Sequence, residues 1–352
     1  MELAYSQQQQ NKQVHLVSHK DILAILAEEH GPRFVEYRRQ WDASMRLEAH
    51  PDFPLTVEIE TNNHCNYRCN MCVFASATLH PDVRRGVGKK FMDFGLFRKV
   101  MDEGAAHGLP ALTYGFMSEP LLHPRIVDMV ALATDRGVMD QRLGSNGSLL
   151  TRDISRGVIA GGLARLEISV DATLPETYAK IRKGGNLDKI NRAIHEFLEE
   201  RDKANRRLPL LRVSFLRLNV NSHELDDFMA AWEPYADYFS IQEPIDYELD
   251  IADSALHFDP AQDKVDFSCD KQFQRLFLRW DGTVLACGHI HGWEEFRLGN
   301  AAEQSLHSMW RSELMESLRA LHRRKGYAEN PICRYCVRQT MVPAAKEGAT
   351  RP

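Results

Sequence analysis

The seven cysteines of this 352-residue chain form two groups whose spacing suits metal or redox chemistry. The first group has the pattern C-x3-C-x2-C and consists of Cys65, Cys69 and Cys72. The second has the pattern C-x17-C-x45-C-x2-C and consists of Cys269, Cys287, Cys333 and Cys336. In a reducing cytosol, clustered cysteines are more typical of metal ligands or redox groups than of a disulfide framework.

The two groups differ in the number of ligands that they offer. Three closely spaced thiolates can hold three irons of a cubane cluster and leave the fourth open to a substrate or cofactor, whereas structural zinc sites use four ligands. The alternative for the first group is a zinc knuckle that borrows His64 or a distant ligand. Four thiolates form a closed site for zinc or for an iron–sulfur cluster, and the C-x2-C pair by itself favours zinc.

The first cysteine group follows a predicted strand, at the position where α/β folds place their chemistry. From Thr56 onward, β-rich runs alternate with helical patterns. The predicted strands are Thr56–Glu60, Ala111–Phe116, Gln141–Ser145, Ala164–Val170, Leu210–Val220 and Tyr238–Gln242. The predicted helices are Phe94–His107, Pro124–Arg136, Thr151–Ala160, Leu187–Arg201 and Ser222–Ala236. These alternations predict a parallel sheet with helices outside, either open or curled into a partial barrel.

The regions on either side of this core have their own patterns. Helical periodicity marks Asp21–Glu29 and Pro32–Met45, and an acidic linker is predicted around Pro244–Lys264. Beyond it, the sequence predicts a hairpin that turns at Asp281–Gly282 and an amphipathic helix at Ser305–His322. The predicted domains are a helical extension at 1–54, an α/β core at 55–250, a small cysteine-bearing domain at 251–342 and a disordered tail at 343–352.

Composition excludes several classes of protein. Hydrophobic residues make up 43% of the chain and charged residues 26%, as in ordinary globular proteins. The net charge of −5 gives no support for a nucleic-acid partner. No apolar run is long enough for a membrane helix, and the glutamine-rich N-terminus lacks the apolar segment of a signal peptide. We therefore expect a soluble, cytoplasmic protein with no membrane contact.

Around the first cysteine group, the sequence resembles the radical S-adenosylmethionine (SAM) superfamily, whose signature C-x3-C-x-Φ-C has Met71 at the Φ position. Residues 119–124 resemble the segment whose backbone and glutamate receive the methionyl amine of SAM, with Met117 and Ser118 in place of the usual glycines. Further similarity lies in a Ser-Asn-Gly turn that begins at Ser145, a Ser-Val-Asp segment that begins at Ser169, and Arg182. The SAM contacts that this resemblance implies are Met71, Ser118, Glu119, Ser145, Asn146, Ser169, Asp171 and Arg182.

Around the second group, the segment from Trp280 to Cys287, with Leu298-Gly299-Asn300 and Met309-Trp310, resembles the SPASM/Twitch extension of radical SAM enzymes. That extension carries auxiliary [4Fe–4S] clusters, and four cysteines imply one. The arrangement is most similar to that of aminocyclitol and sugar dehydrogenases. The resemblance implies a partial (β/α)6 TIM-like barrel with a small C-terminal Fe–S domain. It also implies SAM and two [4Fe–4S] clusters as cofactors, and flavodoxin or ferredoxin as reductant.

The number of cysteines indicates which type of reaction to expect. In this family, a radical derived from SAM abstracts a hydrogen atom from the substrate, and epimerases of the family then return one from a free thiol. With three and four cysteines assigned to clusters, no thiol remains as a donor, and a fully ligated cluster suits electron transfer. We therefore predict two-electron oxidation of a secondary alcohol of a sugar or aminocyclitol to a ketone.

Other functions stay open. A ribosomal-peptide maturase would use the same cofactors, as would a redox-neutral sugar decarboxylase, a dehydratase, or an epimerase with a tyrosine donor. A metal-binding scaffold without turnover is the non-enzymatic alternative. The candidate substrate-contacting residues, among which the sequence does not single out a base, are Tyr114, Arg212, Glu243, Asp246, His289 and His291.

Overall fold

A ten-stranded mixed sheet forms the centre of the computed structural model, which describes residues 14–18, 20–72, 88–115, 117–244, 266–289 and 294–341. In these residues the strands are β1 (Val14–Val17), β2 (Thr56–Ile59), β3 (Ala111–Tyr114), β4 (Asp140–Ser145), β5 (Arg165–Ser169), β6 (Leu210–Leu216), β7 (Tyr238–Gln242), β8 (Arg275–Leu278), β9 (Thr283–Leu285) and β10 (Arg297–Asn300). Their order in the sheet is β1-β7-β6-β5-β4-β3-β2-β8-β9-β10. The strands from β2 to β8 pair in parallel with one another, whereas β1, β9 and β10 pair antiparallel.

Helices connect the parallel strands, and further helices precede and follow these strands in the chain. They are α1 (Ile22–His30), α2 (Pro32–Met45), α3 (Phe94–His107), α4 (Ile126–Asp135), α5 (Arg152–Ala160), α6 (Pro175–Ile181), α7 (Leu187–Lys203), α8 (Leu225–Trp232), α9 (Leu306–Trp310), α10 (Glu313–Arg323) and α11 (Pro331–Met341). Local signals determine their ends. The side chain of Asp93 accepts from Leu96 N and begins α3, and Gly108, with φ of 72°, ends it. None of the described helices has the length and apolar character needed to cross a membrane.

The parallel section curls into a partial barrel. Side chains alternate along its strands, so that Leu112 of β3 is fully buried on the outer face, under the helices, while Thr113 points inward. A cavity of about 160 Å³ on the inner face is lined by Tyr238 of β7 and also by Arg275 of β8, which stand at opposite ends of the parallel section. Strands so far apart in the order can share one cavity only because the sheet closes around it.

The C-terminal region packs on the barrel through α3. Lys99 Nζ donates to two carbonyl oxygens at 2.8 Å, those of Ala301 and Ala302. Glu103 accepts hydrogen bonds from the first backbone amides of α9 at 2.9 and 3.0 Å. Strand β8 extends the barrel sheet beside β2, and one continuous apolar core includes residues of both regions. The second cysteine group is therefore held against the barrel by fixed contacts.

Most of the predicted elements are confirmed. The six predicted strands correspond to β2 to β7, the two predicted N-terminal helices are α1 and α2, and the predicted hairpin is formed by β8 and β9. The single predicted helix Ser305–His322 is wrong, because Ser312 accepts from Met315 N and begins a separate helix, α10. Strands β1 and β10 and helices α6 and α11 were not predicted. The predicted linker beyond Pro244, Phe116 of the second predicted strand and the predicted tail lie outside the described residues.

Candidate functional site

The first cysteine group lies in the loop after β2, at the carboxyl end of the barrel. Hydrogen bonds attach this loop to later parts of the chain. Arg68 N donates to Lys183 O at 2.9 Å, which holds the loop against the end of α6. Glu119 N donates to His64 O at 3.1 Å, which joins the loop to the segment after β3. The three thiols are therefore positioned by tertiary contacts on two sides.

Burial disfavours the thiolate form of these cysteines. Cys69 is 7% exposed, and Cys65 is half-buried. Burial raises the pKa of Cys65 to about 11, although the Tyr67 backbone N–H, 3.4 Å from its sulfur, acts in the opposite direction. Burial also raises the pKa of Cys69, against the opposing effect of the Arg182 charge. Ligation of a metal by these thiols must therefore displace protons.

Glu119 organises the turn after β4. Its side chain is 2% exposed, and its carboxylate accepts hydrogen bonds from Ser145 Oγ at 2.8 Å and from Asn146 N at 2.8 Å. A third donor, Leu121 N, lies at 3.1 Å. Burial raises the pKa of Glu119, and these donors act against that rise. The structure thus brings three predicted site residues, Glu119, Ser145 and Asn146, into one hydrogen-bonded unit.

Asn146 connects this unit to the cysteine loop. Its Nδ2 atom donates to Asn66 Oδ1 at 2.9 Å and lies 3.8 Å from Cys65 Sγ. From the same loop, Asn62 Nδ2 donates to Glu119 O at 2.8 Å. Asn62 and Asn66 were not among the predicted site residues. The available signal was their position as amide side chains next to a metal-ligand motif, where they can tie the loop to its surroundings.

Asp171 and Arg182 form a buried ion pair beside Cys69. Arg182 Nη2 is 2.5 Å from Asp171 Oδ2, and Asp171 Oδ1 accepts from Leu216 N at 2.8 Å. Arg182 Nη1 lies 4.0 Å from Cys69 Sγ. Asp171 has a φ of 64°, in the left-handed region that Asp tolerates better than most residues. The pair therefore places a cation next to a thiol, where it favours the thiolate.

Buried polar atoms without partners show that this site suits a polar ligand. Ser118 Oγ and His64 Nδ1 are buried and have no hydrogen-bond partner among the described residues. Such atoms are normally satisfied in folded proteins. Two further predicted SAM contacts, Met71 and Ser169, are half-buried at the same end of the barrel. Three thiols beside these atoms fit an iron–sulfur cluster that carries a polar ligand.

The structure also brings the second cysteine group together. Its members come from the segment before β8, the segment after β9 and helix α11, and they are Cys269, Cys287, Cys333 and Cys336. Burial is the largest cause of the raised pKa values of the first three, and the charges of neighbouring members of the group add to it. In the described part of the chain, no three cysteine sulfurs lie within 4.8 Å of one another. Four thiols from three segments of the chain can hold a zinc ion or an iron–sulfur cluster.

His322 of α10 lies between two of these cysteines and is 1% exposed. Its Nδ1 atom accepts a hydrogen bond from Cys269 N at 3.2 Å, so the ring hydrogen is on Nε2, which lies 3.7 Å from Cys333 Sγ. Burial lowers the pKa of His322 to about 4, which keeps the ring neutral near pH 7. His322 was not predicted, because it is 53 residues from Cys269 and belongs to no ligand spacing.

Family comparisons agree with both cysteine sites. Residues 59–212 match the model of the radical SAM superfamily. Residues 269–337 match SPASM, described as an iron-sulfur cluster-binding domain. This chain is a radical SAM enzyme with a SPASM domain. The two domains bring SAM and two [4Fe–4S] clusters as cofactors.

Individual relatives of this radical SAM enzyme have different activities. A tungsten-containing aldehyde ferredoxin oxidoreductase cofactor-modifying protein of Pyrococcus furiosus is 26% identical over 322 residues, which cover 79% of this chain and 86% of that protein. A probable GTP 3′,8-cyclase of Methanococcus maripaludis is 25% identical over 215 residues, 61% and 67% of the two chains. The solved structure of anSMEcpe with bound AdoMet has a TM-score of 0.58 at 12% identity and covers 82% of this chain and 92% of its own. These similarities support the fold.

Two of the predicted substrate contacts of the radical SAM enzyme have protein partners in the structure. Tyr114 lies on the outer face of β3, fully buried, with its hydroxyl 2.8 Å from Gln141 Oε1. The alternation of the strand sends Thr113 inward and Tyr114 outward. Arg212 does face the barrel interior, but it pairs with Glu167 and lines the cavity at the amino-terminal end of the strands, away from the cysteines.

Two other predicted substrate contacts lie in the described part of the chain. Glu243 follows the last residue of β7 and pairs with Arg217, so it lies at the carboxyl end of the barrel. His289 donates through its backbone N–H to Cys287 Sγ at 3.4 Å, and its ring packs edge-on against Tyr335 at 5.5 Å. The two remaining candidates lie outside the described part of the chain, and they are Asp246 and His291.

Glu60 is a site residue that the sequence interpretation missed. It follows β2, one residue before the cysteine loop, and is 1% exposed. Its carboxylate lies 3.3 Å from Arg279 Nε, in the connection between β8 and β9 of the SPASM domain. Burial raises the pKa of Glu60 to about 7, because the Arg279 charge offsets only part of the cost of burying a carboxylate. Glu60 therefore changes charge near neutral pH at the junction of barrel and SPASM domain.

Replacing Glu60 by Gln is expected to remove a pH dependence of stability. The folded-state pKa of about 7 exceeds the ordinary value of 4.5, so the folded chain holds an extra proton between these pH values. The stability that Glu60 contributes is therefore present below pH 4.5 and is lost as the pH rises through 7, by about 3 kcal/mol in total. The free energy of urea unfolding, measured from pH 4.5 to 8, should fall less steeply in Glu60→Gln. The exposed variant Glu176→Gln should follow the wild type, and an unchanged slope in Glu60→Gln would contradict the prediction.

Proposed function

We propose that this radical SAM enzyme oxidises a secondary alcohol of a sugar or an aminocyclitol to a ketone. The proposal rests on the placement of the seven cysteines, three in one loop at the carboxyl end of the barrel and four in the SPASM domain. With all seven assigned to the two clusters, no cysteine thiol is left to return a hydrogen atom to a substrate. This placement agrees better with net oxidation than with thiol-dependent epimerisation.

Each cluster has its own set of ligands in this proposal. The SAM-binding cluster would be held by Cys65, Cys69 and Cys72. The auxiliary cluster would be held by Cys269, Cys287, Cys333 and Cys336. When bound, SAM and the first cluster supply a radical for hydrogen abstraction, and the second cluster supplies an electron acceptor. The domains would extend over 55–250 for the radical SAM core and 251–342 for the SPASM/Twitch unit, after a helical extension at 1–54.

The residues around the first site would bind and orient SAM. Asp171 would hold Arg182 in place for the methionyl carboxylate, since the ion pair fixes the guanidinium beside Cys69. Ser118, whose hydroxyl is buried without a partner among the described residues, would receive a polar group of SAM. Glu119 would act as a positioning residue for the turn after β4, because its carboxylate already accepts three hydrogen bonds.

The wider setting of the reaction is also part of the proposal. A flavodoxin or ferredoxin would supply electrons to the SAM-binding cluster, and the enzyme would work in the cytoplasm on a small-molecule substrate. The reductant is implied by the family resemblance, and the cytoplasmic setting is expected from the composition as well. A peptide substrate is the competing possibility that the following experiment separates.

The proposal is tested with anaerobically reconstituted enzyme and with sugars and aminocyclitols that carry deuterium on a carbinol carbon. We expect deuterated 5′-deoxyadenosine and ketone in equal amounts, because the abstracted atom leaves the oxidised carbon. Reactions without reductant are the control. A decarboxylated, dehydrated or epimerised product would contradict the proposal, and so would turnover that requires a peptide.

A further inference from the structure

The cavity of about 160 Å³ inside the barrel lies at the amino-terminal end of the strands, opposite the cysteine loop. We refer to it as the basal cavity. Its walls include the first residues of several strands, among them Thr56 of β2 and Tyr238 of β7. Helix α2 contributes Tyr37 and Trp41 to the same walls. The helical extension therefore closes the end of the barrel that the radical chemistry does not use.

The basal cavity carries an excess of positive charge. The arginines that line it are Arg38, Arg142, Arg165, Arg212 and Arg275. Three of them have carboxylate partners, in the pairs Arg165–Asp140, Arg212–Glu167 and Arg275–Glu58. Arg38 and Arg142 have no carboxylate of a described residue within ion-pair distance, although both charges act on Asp140 and that of Arg142 also acts on Glu58. Two positive charges in a partly buried space are unfavourable unless an anion compensates for them.

Several hydrogen-bond donors of the cavity also have no acceptor. Tyr238 is 1% exposed, and its hydroxyl has no hydrogen-bond partner among the described residues. Arg38 Nε and Arg275 Nε also have no hydrogen-bond partner among the described residues. Buried donors in folded proteins nearly always have an acceptor. The excess of arginines over carboxylates and the unsatisfied donors are separate observations, and both indicate a small anion with several acceptor oxygens.

We propose that the basal cavity binds inorganic phosphate. The cavity of about 160 Å³ has room for one tetrahedral oxyanion together with water molecules. Guanidinium groups match the oxygens of phosphate in geometry and charge. Glu58 and Asp140 on the walls select phosphate over sulfate, because a protonated phosphate oxygen can donate to a carboxylate and sulfate has no proton to donate near pH 7.

Bound phosphate would join the helical extension to the barrel. Arg38 belongs to α2, whereas Arg142 belongs to β4, and an anion between them would bridge the two elements. Its effect is therefore on the stability of the closed end of the barrel. The proposal is independent of the substrate of the radical reaction, because the cavity lies at the other end of the strands.

Isothermal titration and thermal unfolding of the reconstituted full-length protein test this inference. Phosphate should bind saturably and raise Tm, whereas chloride at matched ionic strength should not. Arg142→Gln and Tyr238→Phe should each weaken phosphate binding about tenfold, the equivalent of one hydrogen bond to a charged group. Arg39→Gln is the matched control, since Arg39 is on α2 but is exposed and paired with Glu36.

Tyr238→Phe separates a binding defect from a folding defect. It removes only an oxygen that has no partner among the described residues, so its Tm without phosphate should equal that of the wild type. Sulfate and glycerol 3-phosphate, titrated in parallel, should both bind more weakly than phosphate. The proposal is overturned if the wild type shows no saturable binding, if both cavity variants bind phosphate as tightly as Arg39→Gln does, or if either competing anion binds more tightly.

Discussion

The variant with Cys65, Cys69 and Cys72 all replaced by alanine is expected to lose reductive cleavage of SAM completely and to contain about four irons per chain in place of about eight. These thiols would be the only protein ligands of the SAM-binding cluster. Three polar groups lie within about 4 Å of their sulfurs, and all are donors that cannot ligate iron: the Arg182 guanidinium, the Asn146 side-chain nitrogen and the Tyr67 backbone N–H. Iron and sulfide per chain, together with 5′-deoxyadenosine release, measure the effect after anaerobic reconstitution.

A variant of the other group provides the matched control for the iron analysis. Cys269→Ala should also lose iron while 5′-deoxyadenosine release continues, which separates loss of one cluster from general misfolding. If the triple variant kept about eight irons, or still cleaved SAM, the assignment of the first cysteine group would be wrong. Zinc in place of iron in the C-terminal site would remove the electron acceptor and with it the dehydrogenase proposal.

Replacing Cys287 by alanine should uncouple SAM cleavage from substrate oxidation. Cys287 follows β9, immediately after buried Ala286, and its thiol lies near other members of the second group. Without this ligand the auxiliary site loses its fourth thiolate, while the cysteine loop at the other site is unchanged. Ketone formation should fall by at least about tenfold, since even indirect changes around metal sites cost about 10- to 100-fold. Parallel assays of 5′-deoxyadenosine and ketone measure the ratio.

Ser268→Ala is the control for this second prediction. Ser268 is buried beside Cys269 and donates to His322 O at 2.8 Å, but it has no thiol. This variant should keep both clusters and an equal yield of ketone and 5′-deoxyadenosine. If Cys287→Ala still produced ketone at the wild-type ratio, the auxiliary cluster would not be the electron acceptor.

Much of the barrel could be predicted because its signals are local. Most of the parallel strands are short apolar or alternating runs, and several helices begin at a side chain that caps them, such as Asp93, Thr151 and Asn186. Strand β1 was missed because it is four residues long and its pairing with β7 is more than 200 residues away in the chain. The partner of β8 was missed for the same reason, since parallel pairing with β2 leaves no local pattern.

The sequence by itself determined the chemistry of the first site, because three ligands within one loop need no other part of the chain to be recognised. It also determined that four more cysteines were available for a second site. Tertiary structure alone decided that Tyr114 points outward, that Arg279 pairs with Glu60, and that His322 contacts Cys269 and Cys333. These contacts join residues that the chain brings together only when the sheet has curled and the SPASM domain has packed against it. Their energies depend on burial and distance, which residue spacing does not encode.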